Sequence, residues 1–278
     1  MNKVKYFESE LIKLALEEDN VKNDITTGSL LDFDSIINAE VICKETGIIS
    51  GTDTFRSVFL VLDHSLECNV LKNDGSMVKK GDKVIILKGL KSSILKGERT
   101  ALNFLQRLSG IATLTDRFIK KLDSDEIKLL DTRKTTPGMR YLEKKAVRDG
   151  GGTNHRMDLE DMAMIKDNHI KMAGSIENSV RNVRFRYPEK KIELEVTNLN
   201  ELSIALKLDV DIIMLDNFDI HLIKKAVTMK PDNIKYEISG NVTLENIKSK
   251  NIPGIDYIST GALTHSFRSL DLSLEILE

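Results

Sequence analysis

IELEVTN (192–198), DIIMLDN (211–217) and KYEISGN (235–241) repeat one pattern: a short apolar β-type run that ends in a polar residue, here Glu195, Asp216 and Ser239. The pattern extends both ways, to KLLDTRK (128–134) and AMIKDN (163–168) upstream and YISTGA (257–262) downstream. The endpoints Asp131, Lys166, Glu195, Asp216, Ser239 and Thr260 are 35, 29, 21, 23 and 21 residues apart. Helical periodicity fills the gaps at 139–147, 176–185, 199–206, 220–226 and 244–247. Strands alternating with helices at this spacing predict a parallel βα architecture. Their apolar character suits strands covered on both faces. In a doubly wound sheet few strands contribute to the ligand site. Polar endings on every strand instead favour a βα barrel, whose reactive groups sit on the C-terminal rim. The expected fold class is α/β, an open, incomplete, TIM-like βα barrel of six or seven strands.

The first ~90 residues read differently. Phe7, Leu11, Leu14 and Ala15 predict an amphipathic helix over 5–18, and residues 23–29 a loop. Strands are expected at 36–43, 66–71 and 83–87, and a helix carrying Phe55, Val58, Phe59 and Leu62. The turn-rich NDGSMVKKGD (73–82) is similar in outline to the exposed turn of lipoyl and biotinyl modules, but it lacks their local sequence around the modified lysine and reads as a structural hairpin. A long helical pattern covers 92–122, with an interruption expected at Ser109-Gly110. The final LDLSLEIL alternates as a strand. The expected organisation is therefore an N-terminal α+β sandwich over 1–108, joined by the strand 269–278, and a barrel over 109–268.

Bulk composition constrains function by exclusion. The chain has 278 residues, 41 basic and 43 acidic, for a net charge of -2. No global field for nucleic acid or membrane surfaces results. Tyr and Phe are few and Trp is absent, which argues against base stacking. No apolar run approaches ~18 residues, and the charged N-terminus does not read as a signal peptide. Cys43 and Cys68 show no metal-type spacing, so a reducing, cytoplasmic setting is expected.

Charge is instead concentrated between Asp131 and Ile170. Arg133-Lys134 and His155-Arg156 fall as adjacent pairs at element ends, with Lys166 and His169 following and the triplet Gly150–Gly152 between the pairs. A solvated helix face would spread its charges at helical spacing. This clustering suits a small, multiply anionic ligand. Guanidinium forks pair carboxylates bidentately. The strand-end carboxylates Glu195 and Asp216 beside such cations suit Mg2+ together with a phosphorylated substrate. A glycosidase pair is conceivable but leaves five cations unused. The small-residue turns ISGN (238–241) and STGALTHS (259–266) offer backbone N–H groups to phosphate, with His265 either a phosphate donor or a structural hydrogen-bonding residue. Arg99, in GERTALN, reads equally as a solvated partner of Glu98 or as functional. His64 and His221 fall outside any cluster.

GERTALNFLQRLSGIAT, DTRKTTPGMRYLEKKAVRDGGGTNHR, MIKDNHI, IMLDNF, EISGN and TGALTHS, in this order across 92–275, resemble the quinolinate phosphoribosyltransferases, also called carboxylating nicotinate-nucleotide pyrophosphorylases. NDITTGSLL (23–31) resembles the family's GDITT-type segment, with Asn23 in place of Gly, a departure that should affect a turn more than the chemistry. The resemblance implies transfer of phosphoribose from phosphoribosyl pyrophosphate to quinolinate with decarboxylation, in NAD biosynthesis. It implies a homodimer in which Arg99 enters the partner's site. Quinolinate would be held by Arg99, Arg133, His155, Arg156 and Lys166. Phosphoribosyl pyrophosphate would meet Lys134, Glu195 and Asp216, the two carboxylates holding Mg2+ through water, and Ser239, Gly240, Asn241, Gly261 and His265 around its phosphates. Three rivals stand beside this reading: the molybdenum-transport-operon paralogues, which share DTRKT and HR; a nicotinate-specific transferase, which needs fewer cations; and a non-catalytic phosphometabolite-binding protein.

Overall fold

The structure, a computed structural model, describes residues 3–30 and 35–277. Leu31 of the NDITTGSLL segment and Glu278 of the terminal strand lie outside these. Two compact units form: residues up to 116 with 135–151 and 266 onward, and residues 117–134 with 152–265.

In the first unit, α1 (Lys3–Glu18) buries Ile12 and Leu16, while Phe7 and Leu14, expected on the apolar face, are exposed. The stretch expected to be a loop holds a short helix, α2 (Ile25–Leu30). Asp24 explains it: its carboxylate accepts the Thr26 and Thr27 N–H groups (3.0 and 3.1 Å), an N-cap that the turn-rich composition conceals. Asn23 closes the preceding turn by donating to Asn20 Oδ1 (2.9 Å). β1 (Ile36–Cys43), β2 (Gly47–Ile48), α3 (Thr52–Leu62), β3 (Glu67–Val70), β4 (Met77–Val78) and β5 (Lys83–Leu90) follow. β3 and β5 pair antiparallel around the turn, whose β4 pairs with β2. The terminal strand Leu272–Leu277 adds to the free edge of β1, giving a four-stranded sheet.

α4 (Lys91–Leu122) runs unbroken through Ser109-Gly110. The small residues there serve close packing, not a break. A Cβ on Gly110 would lie 2.3 Å from Arg268 O, and Ser109 Oγ accepts the Ser50 N–H (3.0 Å).

The chain continues through β6 (Lys128–Leu130), α5 (Arg140–Asp149), β7 (Ala163–Ile165), α6 (Asp167–Ala173), α7 (Ile176–Arg186), β8 (Ile192–Val196), α8 (Leu199–Ala205), β9 (Ile212–Asp216), α9 (Ile220–Val227), β10 (Lys235–Ser239), β11 (Tyr257–Ser259), α10 (Ala262–His265) and β12, the terminal strand already described. The helical pattern at 244–247 yields only a 3-10 turn, Ile247–Lys250. α5 groups with the first unit rather than with the 109–268 barrel. It is fixed there because Lys145 pairs with Asp74 and Asp149, Glu143 takes the Arg107 guanidinium (2.6 Å), and a Cβ on Gly150 would meet Ala112 O at 2.3 Å.

The second unit is built on a parallel sheet of order β6-β11-β10-β9-β8-β7. β6 and β7 are its edges, so the barrel is open. A single parallel bridge, Leu130 to Thr153, stands on the β6 edge in the place of a seventh strand. Ile213, Leu215, Tyr236, Ile238 and Ile258 are fully buried, as expected of strands covered on both faces. Among the described residues no helix is long and apolar enough to cross a membrane.

Candidate active site

Side chains in a strand alternate between faces, so residues two apart share one. β8 places Glu193 and Glu195 on its inner face, β9 places Met214 and Asp216, and β10 places Glu237 and Ser239. Around their C-terminal ends lies a cavity of about 580 Å³ lined by Thr132, Arg133, Lys134, His155, Arg156, Met164, Lys166, Glu195, Met214, Asp216, Asn217, Ser239, Gly240, Asn241 and Ser259. Ten of the expected site residues thus meet in one pocket of the second unit.

The remaining expected residues divide. Gly261 and His265 are not in the cavity wall but flank Lys134: a Cβ on Gly261 would fall 2.9 Å from Lys134 Cδ and 3.0 Å from the His265 ring. Thr264 Oγ1 donates to Lys134 O (2.7 Å), tying this turn to the cationic loop. Arg99 is exposed and lines a different cavity, of about 420 Å³, with Leu11, Thr100, Asn103, Phe104, Arg107 and Met139 of the first unit.

Charge is arranged unevenly within the pocket. Among the described residues the buried Nε of Arg133 has no hydrogen-bond partner, an orphaned cationic donor. Burial and the neighbouring Arg133 both lower the pKa of Arg156. Two guanidinium groups held this close, one with a donor unspent, are poised for an anion. Lys166 Nζ pairs with Glu195 (3.1 Å), so these two expected ligand-binding residues answer one another. His169, counted with the cations in sequence, has a local task instead: its Nδ1 accepts the Lys166 N–H (3.0 Å) at the start of α6.

His155 is held from several sides. Its N–H donates to Asp131 Oδ1 (2.9 Å), and Asn154 Nδ2 donates to the other oxygen of that buried carboxylate (2.5 Å). Nδ1 accepts the Arg156 N–H (2.7 Å). Nε2 lies 3.0 Å from Glu193 and 3.4 Å from Glu237, both fully buried. Burial opposes charging of the ring, but the two carboxylates outweigh it and raise the His155 pKa. Burial and the Glu237 charge raise that of Glu193, against the pull of His155. With Nδ1 an acceptor, the ring carries its proton on Nε2, directed at the two carboxylates.

Glu193 and Glu237 escaped the sequence reading, which took only strand ends. Their signal was an acid at the inward position of an otherwise apolar strand. Asn217 was missed as well. It sits at positive φ (55°) and accepts Asn241 Nδ2 (3.1 Å) while donating to Asp216 (2.9 Å), which shapes the wall between β9 and β10.

The family described as quinolinate phosphoribosyl transferase, N-terminal domain, matches residues 24–109, and its C-terminal domain matches 111–275. The chain belongs to the quinolinate phosphoribosyltransferase family. A probable nicotinate-nucleotide pyrophosphorylase (carboxylating) of Bacillus subtilis is 42% identical over 93% of this chain and 90% of that protein. The chloroplastic nicotinate-nucleotide pyrophosphorylase (carboxylating) of Arabidopsis thaliana is 40% identical over 96% of this chain and 82% of that one. The crystal structure of NadC from Streptococcus pyogenes superposes with a TM-score of 0.94 at 39% identity, covering 100% of both chains. Human nicotinic acid phosphoribosyltransferase, at 12% identity and a TM-score of 0.58, shares the fold alone.

Proposed function

We propose that the pocket at the C-terminal ends of β8–β10 is where this family's reaction takes place, with the cationic wall for the dicarboxylate acceptor and the carboxylate wall for the phosphoribosyl donor. The reaction is transfer of phosphoribose from phosphoribosyl pyrophosphate to quinolinate with decarboxylation, giving nicotinate mononucleotide, pyrophosphate and CO2 in NAD biosynthesis. The observation that carries the assignment of walls is the unspent Arg133 Nε beside Arg156, in the cavity that Glu195 and Asp216 also line.

In this reading Arg133 and Arg156 fix the ring carboxylates, His155 holds Arg156 in place beside them, and Lys166 joins on leaving Glu195. The ring nitrogen already bears a lone pair, so no general base is needed. That pair forms the bond to the anomeric carbon as the bond from carbon to pyrophosphate oxygen breaks. Lys134 stabilises the charge growing on the leaving group, with the Gly261 and His265 turn beside it and Ser239, Gly240 and Asn241 around the phosphates. Once the nitrogen is quaternary, the C2–carboxylate bond breaks, its electron pair stays on C2 beside N+, CO2 departs, and a proton from water completes C2. The protein favours this by holding that carboxylate less tightly as reaction proceeds.

Glu195 and Asp216 present hard oxygen donors on neighbouring strands, a set that fits Mg2+. A bound Mg2+ would neutralise pyrophosphate charge. The exposed Arg99, absent from this pocket, would serve a second copy of the chain in a homodimer. A cytoplasmic location fits the free thiols of Cys43 and Cys68.

The protein with phosphoribosyl pyrophosphate and Mg2+ is expected to consume quinolinate, release CO2 and leave nicotinate untouched. Equal turnover of nicotinate would sink the acceptor assignment. Mixed Arg99→Ala and Lys134→Ala chains, each inactive alone, are expected to regain activity as hybrid dimers. No recovery, with hybrids confirmed, rules out a shared site.

A further inference from the structure

Beneath the pocket, the barrel interior is not filled in the usual way. Parallel barrels stack branched apolar side chains in layers contributed by alternate strands. Here alternate strands β8 and β10 contribute Glu193 and Glu237 to one point. Both are fully buried, and among the described residues their oxygens have no hydrogen-bond partner; the His155 ring approaches them at 3.0 and 3.4 Å. A buried carboxylate pair is costly unless something specific answers it. What answers it is the imidazole of His155, which enters from the loop after Thr153.

The same loop carries Arg156, and the two residues are not independent. The Arg156 N–H is spent on His155 Nδ1, and Arg156 Nη1 donates to Met162 O (3.0 Å). A second cavity, of about 530 Å³, lies towards the starts of the strands, at Ile212 and Tyr257, and His155 and Arg156 line it as well as the upper pocket. The imidazole and its carboxylates therefore form the plate between the two cavities. The ring is pinned from below by Glu193 and Glu237 and at its backbone by Asp131, so the Arg156 guanidinium projects from a fixed point.

We propose that Glu193 and Glu237 are positioning residues for the acceptor: they anchor the His155–Arg156 pair so that the Arg156 guanidinium meets the dicarboxylate in one geometry. This rests on the reading of Arg133, His155 and Arg156 as the acceptor wall. Neither glutamate touches substrate. Their effect is transmitted through the imidazole, and it is confined to the acceptor half of the pocket, because Lys134 and the phosphate turns are held by other contacts.

Quinolinate binding by titration calorimetry and steady-state kinetics on the whole enzyme test this. Glu237→Gln and Glu193→Gln keep side-chain size and remove the charge. Each is expected to weaken quinolinate about tenfold, in Kd and in KM, with a smaller fall in kcat and with phosphoribosyl pyrophosphate affinity within twofold of wild type. Glu237→Asp is expected to recover part of the loss. A merely structural role would weaken both substrates alike or neither, and that result overturns the proposal. Arg133→Ala is measured in parallel. If it too leaves quinolinate affinity unchanged, the acceptor wall itself is misassigned; if it weakens quinolinate while both glutamine variants do not, only the positioning role fails. Elemental analysis of the wild-type protein closes the remaining route. One tightly held transition-metal ion per chain that either glutamine variant abolishes would make these carboxylates metal ligands and overturn the proposal. If one variant does not fold, the other carries the comparison; if neither folds, the carboxylates are needed for folding and the positioning role is rejected.

Discussion

Arg133 should be a residue whose removal stabilises the empty protein and ruins the site. Among the described residues its buried Nε has no partner, and after burial the Arg133 charge is the next cause that lowers the pKa of Arg156. A buried N–H left unsatisfied costs ~1–3 kcal/mol. Arg133→Met retains an unbranched, apolar stem and removes both the orphaned donor and the like charge. The ligand-free protein is then expected to gain ~1 kcal/mol, at the low end of that range because the side chain is only half-buried. For a chain of this size that is on the order of 2 °C in thermal midpoint. The ligand-bound protein loses charge-assisted hydrogen bonds worth ~1.5–3 kcal/mol each. A loss of ~3 kcal/mol weakens quinolinate roughly 150-fold. At a quinolinate concentration of about 100 times the wild-type Kd, ligand stabilises the wild type by ~2.7 kcal/mol but the variant by only ~0.3 kcal/mol. Thermal unfolding with and without quinolinate reads both effects at once: a higher midpoint for empty Arg133→Met, and a ligand-induced shift that nearly vanishes. A variant that is destabilised when empty yet keeps the full shift would refute the assignment of Arg133 to an anion.

Three further outcomes follow from other places in the fold. Gly240 has φ +86°, and an added Cβ would fall 2.2 Å from Asn217 Oδ1, so Gly240→Ala is expected to raise the KM for phosphoribosyl pyrophosphate more than that for quinolinate and to cost ~1–2 kcal/mol in stability by urea unfolding. Gly110→Ala would press a methyl group against Arg268 O, and overpacking of this kind costs ~1–3 kcal/mol; unfolding curves should show it without a change in substrate affinity in surviving protein. Burial alone would raise the Asp74 carboxyl, but Lys145 and the Thr52 N–H outweigh it and hold its pKa below the ordinary range. Its contribution to stability is therefore present above the unfolded carboxyl pKa and is lost as pH falls through the lower folded value. The unfolding midpoint of Asp74→Asn should approach that of wild type as pH drops below 4, and a constant gap down to pH 2 would contradict this.

The strand-and-helix rhythm was legible because period-two and period-3.6 apolar patterns are written over many residues. The rim was legible because strand endings with charge are rare among buried parallel strands. Two kinds of feature were not. Close packing of small residues looks like a break in one dimension, so Ser109-Gly110 reads as an interruption although it marks where α4 meets residues 268 and 269. Local capping also defeats composition: Asp24 turns a Thr-rich stretch into a helix. The grouping of α5 with the first unit depends on contacts from Lys145 to Asp74 and Arg107 to Glu143, partners far apart in sequence that no periodicity connects.

The open barrel and the buried acids explain one another. A closed barrel of eight strands fills its interior with side chains from the strands themselves. Among the described residues β6 and β7 do not pair, which leaves a gap at this edge, and the segment 153–156 is attached to β6 by the bridge from Leu130 to Thr153. Through that gap the His155 ring reaches Glu193 and Glu237 on strands β8 and β10, across the interior. Closing the barrel with a regular seventh strand would direct alternate side chains inward at fixed spacing, and it would leave no loop to carry an adjacent His-Arg pair with one side chain inside and the other at the pocket. The inner stripes Glu193–Glu195 and Glu237–Ser239 then have separate duties: the first member of each holds the cationic loop, and the second faces the cavity. The cost of burying two carboxylates is met by a ring that must enter from outside the strands, which gives a physical reason for the sheet to remain incomplete at this edge.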